Sequence, residues 1–403
     1  MMINAFPSLA RPPPTRRLPT LLLAWGLGCA LAILPTLAAF AMEPATAPAK
    51  AAKVKVHSQA KAKARGKAKS PGKAAKAHAA ARHAHASPGG ALDPAAVRAF
   101  SEEVARRHGL DAGDLERLFA QVQRNDRILA LISRPAEGKP WYVYRRIFLT
   151  PERIRAGRQF LAAHGEAMRR AEAEYGVPGA VIAAIIGVET FFGRNMGQFG
   201  VLEALATLAF HYPKRAEFFR KELERFLLLA RAEGWAPLTP KGSYTGAMGY
   251  GQFMPSSYEN FAVDFDGDGR RDLRGSIPDA IGSVANYLRR HGWEPGQPVA
   301  AAAQLGPRAN LAAVPHGLEP SWTLGQLREA GVEAASTGPD LATTATTARA
   351  AFVDLEDEDG RAYWLGFQNF YAITRYNHSA LYALAVWQLA NEIRSASAVA
   401  ERP

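Results

Sequence analysis

The chain has 403 residues, enough for one large or two medium domains, and 48% are apolar, which suits a globular protein with a sizeable core. The net charge of +12 suggests a nucleic-acid or membrane-surface partner, yet residues 1–90 hold 14 Lys+Arg and one acid (Glu43), while the rest holds 35 basic and 36 acidic residues. The body is therefore close to neutral, which argues against a basic nucleic-acid-binding fold, and the only cysteine, Cys29, lies in the leader, so the body has neither disulfides nor thiolate metal sites.

Arg16 and Arg17 precede an apolar run from Leu21 to Ala41, the pattern of a secretory signal, and Ala39-Phe40-Ala41 fits its cleavage site. Residues 1–41 read as a signal peptide or a membrane anchor, with lipidation at Cys29 as a third form. The protein is expected to be exported to a periplasm and to be inner- or outer-membrane associated if the anchor is kept. Residues 42–91 are rich in Ala, Lys and His and nearly free of large apolar side chains. Such a segment cannot bury enough surface to offset its ordering entropy and is expected to be a disordered linker. Its charge suits contact with an anionic surface, either lipid headgroups or acidic wall polymers.

Residues 92–396 form the folded body. Helical apolar spacing covers residues 94–107, 114–133, 151–175, 178–192, 201–210 and 214–233. Asp93-Pro94 and Thr150-Pro151 place an N-cap residue before Pro at a first helical position. A further helix is expected over Ile277–His291 and a last one over Ser379–Ile393. Residues 321–356 are Ala/Thr-rich with strand-like pieces such as Ala351–Leu355, the pattern of a small appended lobe.

Three segments carry chemistry. The run 177–194 is almost wholly apolar except for Glu189. An all-apolar helix is buried, and burial of a lone carboxyl raises its pKa, which makes a general acid. Gly193 is the expected cap of that helix. The alternative role for Glu189 is a structural pair with Arg194 or with another buried cation. The second segment, residues 241–262, sets Gly242, Gly246, Gly249 and Gly251 among Ser243, Tyr244, Gln252, Phe253 and two methionines. Glycines admit close backbone approach, aromatic faces stack on sugar rings, and Ser and Gln hydrogen-bond to their substituents. Pro255 then starts a helix. The third, residues 264–280, places Asp264, Asp266 and Asp268 at positions one, three and five of an EF-hand-type loop, with Gly269 at the turn and the Arg270 carbonyl at position seven. Position twelve is Gly275 where a Glu is expected, and Asp279 is the nearest acid beyond. Calcium, in a structural role, is the expected cofactor, and no organic cofactor is implied.

The motifs WYVYRRIFLTP (141–151), IIGVETFFGRNMG (185–197), LATLAFHYPKRAEFF (205–219), GAMGYGQFMPSSY (246–258), DAIGSVANYLRRHGW (279–293) and GFQNFYAITRYNHSALYALAV (366–386) resemble the membrane-bound lytic murein transglycosylase B family. The resemblance covers about residues 95–394. It implies a mainly α, α+β lysozyme-like fold of the goose type, with a core over about 150–300 and 365–394 and a small lobe over about 300–365. It implies a lytic transglycosylase that cleaves the MurNAc-GlcNAc bond of peptidoglycan without water, leaving 1,6-anhydromuramoyl products. The family's catalytic acid falls on Glu189 and its sugar-contacting positions on Tyr144, Ser243, Gln252, Phe253, Tyr376 and Asn377. Lys214 and Arg215 fall where the family meets the peptide stems, and its calcium loop falls on Asp264, Asp266, Asp268, Arg270 and Asp279. The implied partners are glycan strands and their stems, with no nucleic acid. Tyr144 and Phe253 are expected to wall or stack along the cleft, and Gln252 and Asn377 to orient acetamido groups. A hydrolytic lysozyme-like muramidase, which needs a second carboxylate or a positioned water, and a non-catalytic peptidoglycan-binding protein stay open as alternatives.

Overall fold

Asp93 opens the fold as the sequence leads one to expect: its carboxylate accepts the N–H groups of Ala95 and Ala96 at the start of α1 (Pro94–His108). The computed structural model describes residues 89–133, 138–335 and 346–395. The expected leader, all but the last residues of the expected linker, and residues 336–345 of the Ala/Thr-rich stretch lie outside the described residues.

Two helices expected to be continuous are broken. The run 114–133 forms α2 (Ala112–Phe119) and α3 (Asp126–Ile132), because the Asn125 side chain accepts the N–H groups of Arg127 and Ile128 and caps a new start. The run 151–175 forms α5 (Pro151–Ala163) and α6 (Gly165–Tyr175), broken at His164, whose backbone leaves the helical region (φ −115°, ψ 27°). Between them in the chain, residues 141–148 form α4 (Trp141–Phe148), which sequence periodicity does not single out.

The centre of the molecule is α7 (Gly179–Thr190), every residue of which is buried. It ends earlier than expected. Phe191 (φ 52°) and Phe192 (φ 59°) take the left-handed conformation, a place where a bulky residue is strained, before Gly193 (φ 87°). Packing offsets the strain: Phe192 lies 5.3 Å from Phe160, and Gly187 has no side chain to collide with it, since a Cβ there would come within 2.6 Å of its ring.

α8 (Val201–His211) and α9 (Ala216–Ala232) pack on each other, and the short strands β1 (Phe199–Gly200) and β2 (Lys241–Gly242) pair antiparallel. α10 (Pro255–Phe261) and α11 (Ile277–Arg290) follow the glycine-rich and acidic loops.

From residue 300 the chain builds a five-stranded antiparallel sheet, with β3 (Ala300–Leu305), β4 (Trp322–Thr323), β5 (Val332–Ala334), β6 (Arg349–Asp357) and β7 (Gly360–Gly366) in the spatial order β4-β6-β7-β3-β5. α12 (Leu324–Glu329) covers it, and a separate small core of Val314, Leu327, Val332, Leu365 and Phe367 holds the lobe. The β6–β7 turn reaches α4, where Arg146 donates to Glu358 at 2.6 Å. The chain then re-enters the helical core as α13 (Gln368–Thr374), also unforeseen, and α14 (Ala380–Arg394), which packs across α4, α5 and α7. The fold is mainly helical with an appended sheet lobe, as expected. Among the described residues no single helix is long and apolar enough to cross a membrane.

Candidate active site

Glu189 sits in the last turn of α7 and is 4% exposed. The Tyr382 hydroxyl, in the first turn of α14, donates to its Oε1 at 2.6 Å. Its Oε2 is buried and has no hydrogen-bond partner among the described residues. Burial pushes the Glu189 pKa up to about 8, against a smaller downward pull from the Tyr382 hydroxyl. At neutral pH this carboxyl holds its proton. The expected alternative of a structural pair with Arg194 is not what forms: Arg194 instead bonds Glu152 at 3.0 Å. Burial first, and the proximity of Glu189 second, push the hydroxyls of Tyr144, Tyr376 and Tyr382 above the ordinary phenol range. Three protonated phenols therefore surround one protonated acid.

Glu189 opens into a cleft of about 680 Å³, lined also by Phe148, Arg153, Met196, Phe199, Ser243 and Tyr244 among others. Of the expected substrate-contacting residues, Ser243 lines this cleft together with Glu189. Its hydroxyl accepts the N–H of Ala247 at 3.0 Å and meets Thr245 Oγ1 at 2.9 Å, which folds the glycine-rich loop. Gln252 lies just beneath at φ 51°; its Nε2 donates to the carbonyls of Met196 (3.2 Å) and Gly249 (3.0 Å), while its Oε1 is buried with no partner among the described residues. It ties the loop to the cleft wall at Met196.

Phe253 and Tyr144 do not wall the cleft as expected. Phe253 is 1% exposed, packed between Tyr287 and Tyr376, because the loop turns it inward through the Met248–Phe253 bridge. Tyr144 is buried against Trp141 and Phe148 of its own helix. Tyr376 is buried too, and its hydroxyl donates to the Gly251 carbonyl at 2.6 Å, which anchors the loop to the chain just before α14. Asn377 follows, nearly buried, in the turn that leads to the Ser379 cap of α14. Lys214 and Arg215 stand on the short turn between α8 and α9, away from the cavity lining, with Arg215 over the Phe218 ring at 4.3 Å.

Sequence reasoning missed Tyr382, Arg153 and Glu203, all of which meet Glu189 or its cleft. The one cue for Tyr382 was a lone phenol three residues after Ser379 in an otherwise apolar helix start. Glu203 stands in the first turn of α8, where its Oε1 accepts from Asn125 Nδ2 at 3.0 Å.

In the acidic loop, carboxylate oxygens of Asp264, Asp266 and Asp268 lie within 4.8 Å of one another. Asp264 accepts the N–H groups of Gly267, Asp268 and Gly269, and Asp268 accepts that of Arg270, so the backbone wraps the three carboxylates into one cluster. Hard oxygen donors this close repel one another unless a cation joins them, and the set fits Ca²⁺. Asp279 lies outside this three-carboxylate group. Its Oδ1 accepts from Phe265 (2.7 Å) and Asp266 (3.2 Å) and its Oδ2 from Asp272 (2.7 Å), all backbone N–H groups. It is 1% exposed and pins the two ends of the loop together rather than joining the carboxylate cluster. The loop is stitched to the glycine-rich segment through Tyr250 N–H and the Leu273 carbonyl, 3.0 Å apart.

The sequence matches the Transglycosylase SLT domain over residues 93–391. It is 43% identical over 307 residues to membrane-bound lytic murein transglycosylase B of Escherichia coli (strain K12), covering 74% of this chain and 82% of that protein. The soluble lytic transglycosylase SltB1 of Pseudomonas aeruginosa superposes with a TM-score of 0.71 at 48% identity, over 75% of this chain and 99% of the other. Escherichia coli Slt35 in complex with calcium does so at 0.68 and 42% identity, over 77% and 97%. Pseudomonas aeruginosa SltB3 in complex with NAG-anhNAM-pentapeptide gives 0.67 and 34%, over 74% and 78%. With a buried, protonated glutamic acid facing a cleft on this helical fold, the chain belongs to the transglycosylase SLT domain family of lytic transglycosylases.

Proposed function

We propose that this protein is a lytic murein transglycosylase that cleaves the β-1,4 bond between N-acetylmuramic acid and N-acetylglucosamine and leaves a 1,6-anhydromuramoyl end. The observation that carries this reading is the state of Glu189: protonated at neutral pH, held at Oε1 by Tyr382 and free at Oε2. Glu189 gives its proton to the glycosidic oxygen as the C1–O bond breaks. The sugar's own 2-acetamido carbonyl steadies the cationic C1. The resulting carboxylate then removes the proton of the C6 hydroxyl as that oxygen closes on C1. Atoms balance without water, and one carboxyl acts as acid and then as base.

Ser243, Tyr244, Gln252 and Asn377 bind and orient the glycan in this reading, while Tyr144, Phe253 and Tyr376 support the cleft from beneath. Lys214 and Arg215 meet the peptide stems. The relative SltB3 was solved with NAG-anhNAM-pentapeptide, which supports an anhydro product and a stem-bearing substrate. Asp264, Asp266 and Asp268, with the Arg270 carbonyl, would hold Ca²⁺, as the calcium complex of Slt35 supports. The ion would brace the loop behind the glycine-rich segment. Residues 92–396 act as the catalytic region, exported by residues 1–41 and joined to them by the basic linker 42–91. The linker's charge suits an anionic envelope surface.

Mass spectrometry of muropeptides released from purified peptidoglycan tests the reading. Products one water lighter than reducing-end muropeptides, absent with Glu189→Gln, are expected. Reducing ends in their place would replace it with the hydrolytic reading, and no release by the intact protein would favour simple binding.

A further inference from the structure

The reaction described above leaves Arg153 unused, although it lines the cleft beside Glu189. Arg153 stands in the first turn of α5. Its guanidinium lies over the rings of Phe148 (5.2 Å) and Phe191 (4.7 Å), and one of its terminal nitrogens donates to the Ile147 carbonyl. Its Nε is buried with no partner among the described residues. Burial pushes its pKa down from the ordinary arginine value, only partly opposed by the charge of Glu152. That carboxylate is not bonded to Arg153: it is exposed and bonds Arg194 instead.

Arg194 lies 4.7 Å from the same Phe191 ring, so the two guanidinium carbons are at most twice that distance apart. Arg127, over Phe199 at 5.5 Å, faces the same cavity and has no ion pair among the described residues. Three guanidinium groups thus line one cleft. The carboxyls in its lining are Glu189, which is neutral, and Glu203, which is bonded to Asn125. Partly burying a guanidinium with an unpaired N–H and no carboxylate bonded to it is costly, and like charges near it add to the cost. An entering anion would relieve both, and the planar guanidinium matches a carboxylate.

We infer that Arg153, assisted by Arg194, binds a carboxylate of the substrate's muramoyl residue and thereby selects which sugar lies over Glu189. This rests on the proposed peptidoglycan reading of the cleft. The carboxylate comes either from the lactyl group of a muramoyl residue without a stem or from the peptide stem. It is remote from the scissile bond, so its loss acts on binding and alignment rather than on proton transfer.

The test measures kcat and KM of the full chain, wild type and Arg153→Gln, Arg153→Lys and Arg194→Gln, on four sets of short glycan strands. Two carry peptide stems, with carboxylates free or amidated. Two lack stems, with the lactyl carboxylate free or amidated. The wild type is expected to favour the free carboxylate over its amide about tenfold or more in kcat/KM within one pair, and that pair names the source. Arg153→Gln is expected to abolish the preference and Arg153→Lys to restore part of it. Equal rates on acid and amide in both pairs would overturn the inference, as would an Arg153→Gln variant that slows all four substrates alike. If Arg153→Gln does not fold, the wild-type acid-to-amide ratio and its loss in Arg194→Gln decide the question. Should the wild type cleave none of the four, the peptidoglycan reading itself fails, and this inference with it.

Discussion

The Tyr382 hydroxyl donates to Oε1 of Glu189 at 2.6 Å, while Oε2 of the same carboxyl is left with no partner among the described residues. One oxygen is held and the other is free, so the acid is oriented with one oxygen left unbonded. The Tyr382 bond stabilises the carboxylate form and is the downward pull on a pKa that burial has raised. Removing it therefore raises the Glu189 pKa further. In Tyr382→Phe the alkaline limb of the pH–rate profile is expected to move above the wild-type value of about 8, and kcat to fall roughly 10- to 100-fold as the carboxyl loses its orientation. Rates of muropeptide release across pH for both proteins check this. A limb that stays put or moves down would show that Tyr382 does not tune the acid.

Glu189→Gln is expected to abolish turnover, a loss on the order of 10² to 10⁴, and at the same time to stabilise the fold. The carboxyl has a folded pKa of about 8 against an ordinary value of 4.5. Between those values the native state binds more protons than the unfolded one, so wild-type stability falls as pH rises through the window and the loss is complete above it. Gln carries no such load. Melting temperatures of wild type and variant are expected to be close at pH 4 and to diverge at pH 8.5, where the variant melts higher and is the more stable by on the order of a few kcal/mol. Parallel melting curves at both pH values would contradict the raised pKa.

Much of this site was legible because burial and chemistry leave marks in a single segment. Glu189 stood out as the one carboxyl in an apolar run, and the three aspartates stood out by spacing. What the sequence hid depended on contacts between distant segments. Tyr382 meets Glu189 only because α14 returns across α7 after the sheet lobe. Asp279 carries a loop-acid pattern, yet its oxygens are taken by the backbone of Phe265, Asp266 and Asp272. Phe253 and Tyr144 carry rings suited to sugars, but the burial that decides their role is not a local property. The helix breaks at His164 and Asn125 were missed for a similar reason: apolar spacing runs on across a cap, and the cap decides.

The two kinds of acid in the calcium loop are expected to respond differently to substitution. Asp279→Asn turns an amide N–H₂ toward a backbone N–H that now has an acceptor, and is expected to cost about 1 to 3 kcal/mol whether or not calcium is present. Asp264→Asn removes one charge from the cluster and is expected to lower chiefly the gain in melting temperature on adding calcium. Thermal melts in chelator and in millimolar calcium separate the two. A wild-type protein whose melting temperature is indifferent to calcium would remove the ion from the account.

Glu203 is the carboxylate on which the hydrolytic alternative depends. It lines the cleft with Glu189 at the start of α8, whereas the acids of the calcium loop do not. Hydrolysis by the two-carboxylate route needs a second ionised carboxylate to activate water or to attack C1. Intramolecular closure by the C6 hydroxyl needs none, because Glu189 itself has become the base. Asn125 already holds Glu203 Oε1 at 3.0 Å, which suits a wall residue. Glu203→Gln keeps an acceptor for that bond and is expected to retain activity within about tenfold, with the anhydro product unchanged. Reducing-end products in the wild type that vanish in Glu203→Gln would assign it the role of base or nucleophile. The mass of the released muropeptides, one water apart between the two routes, reads the outcome directly.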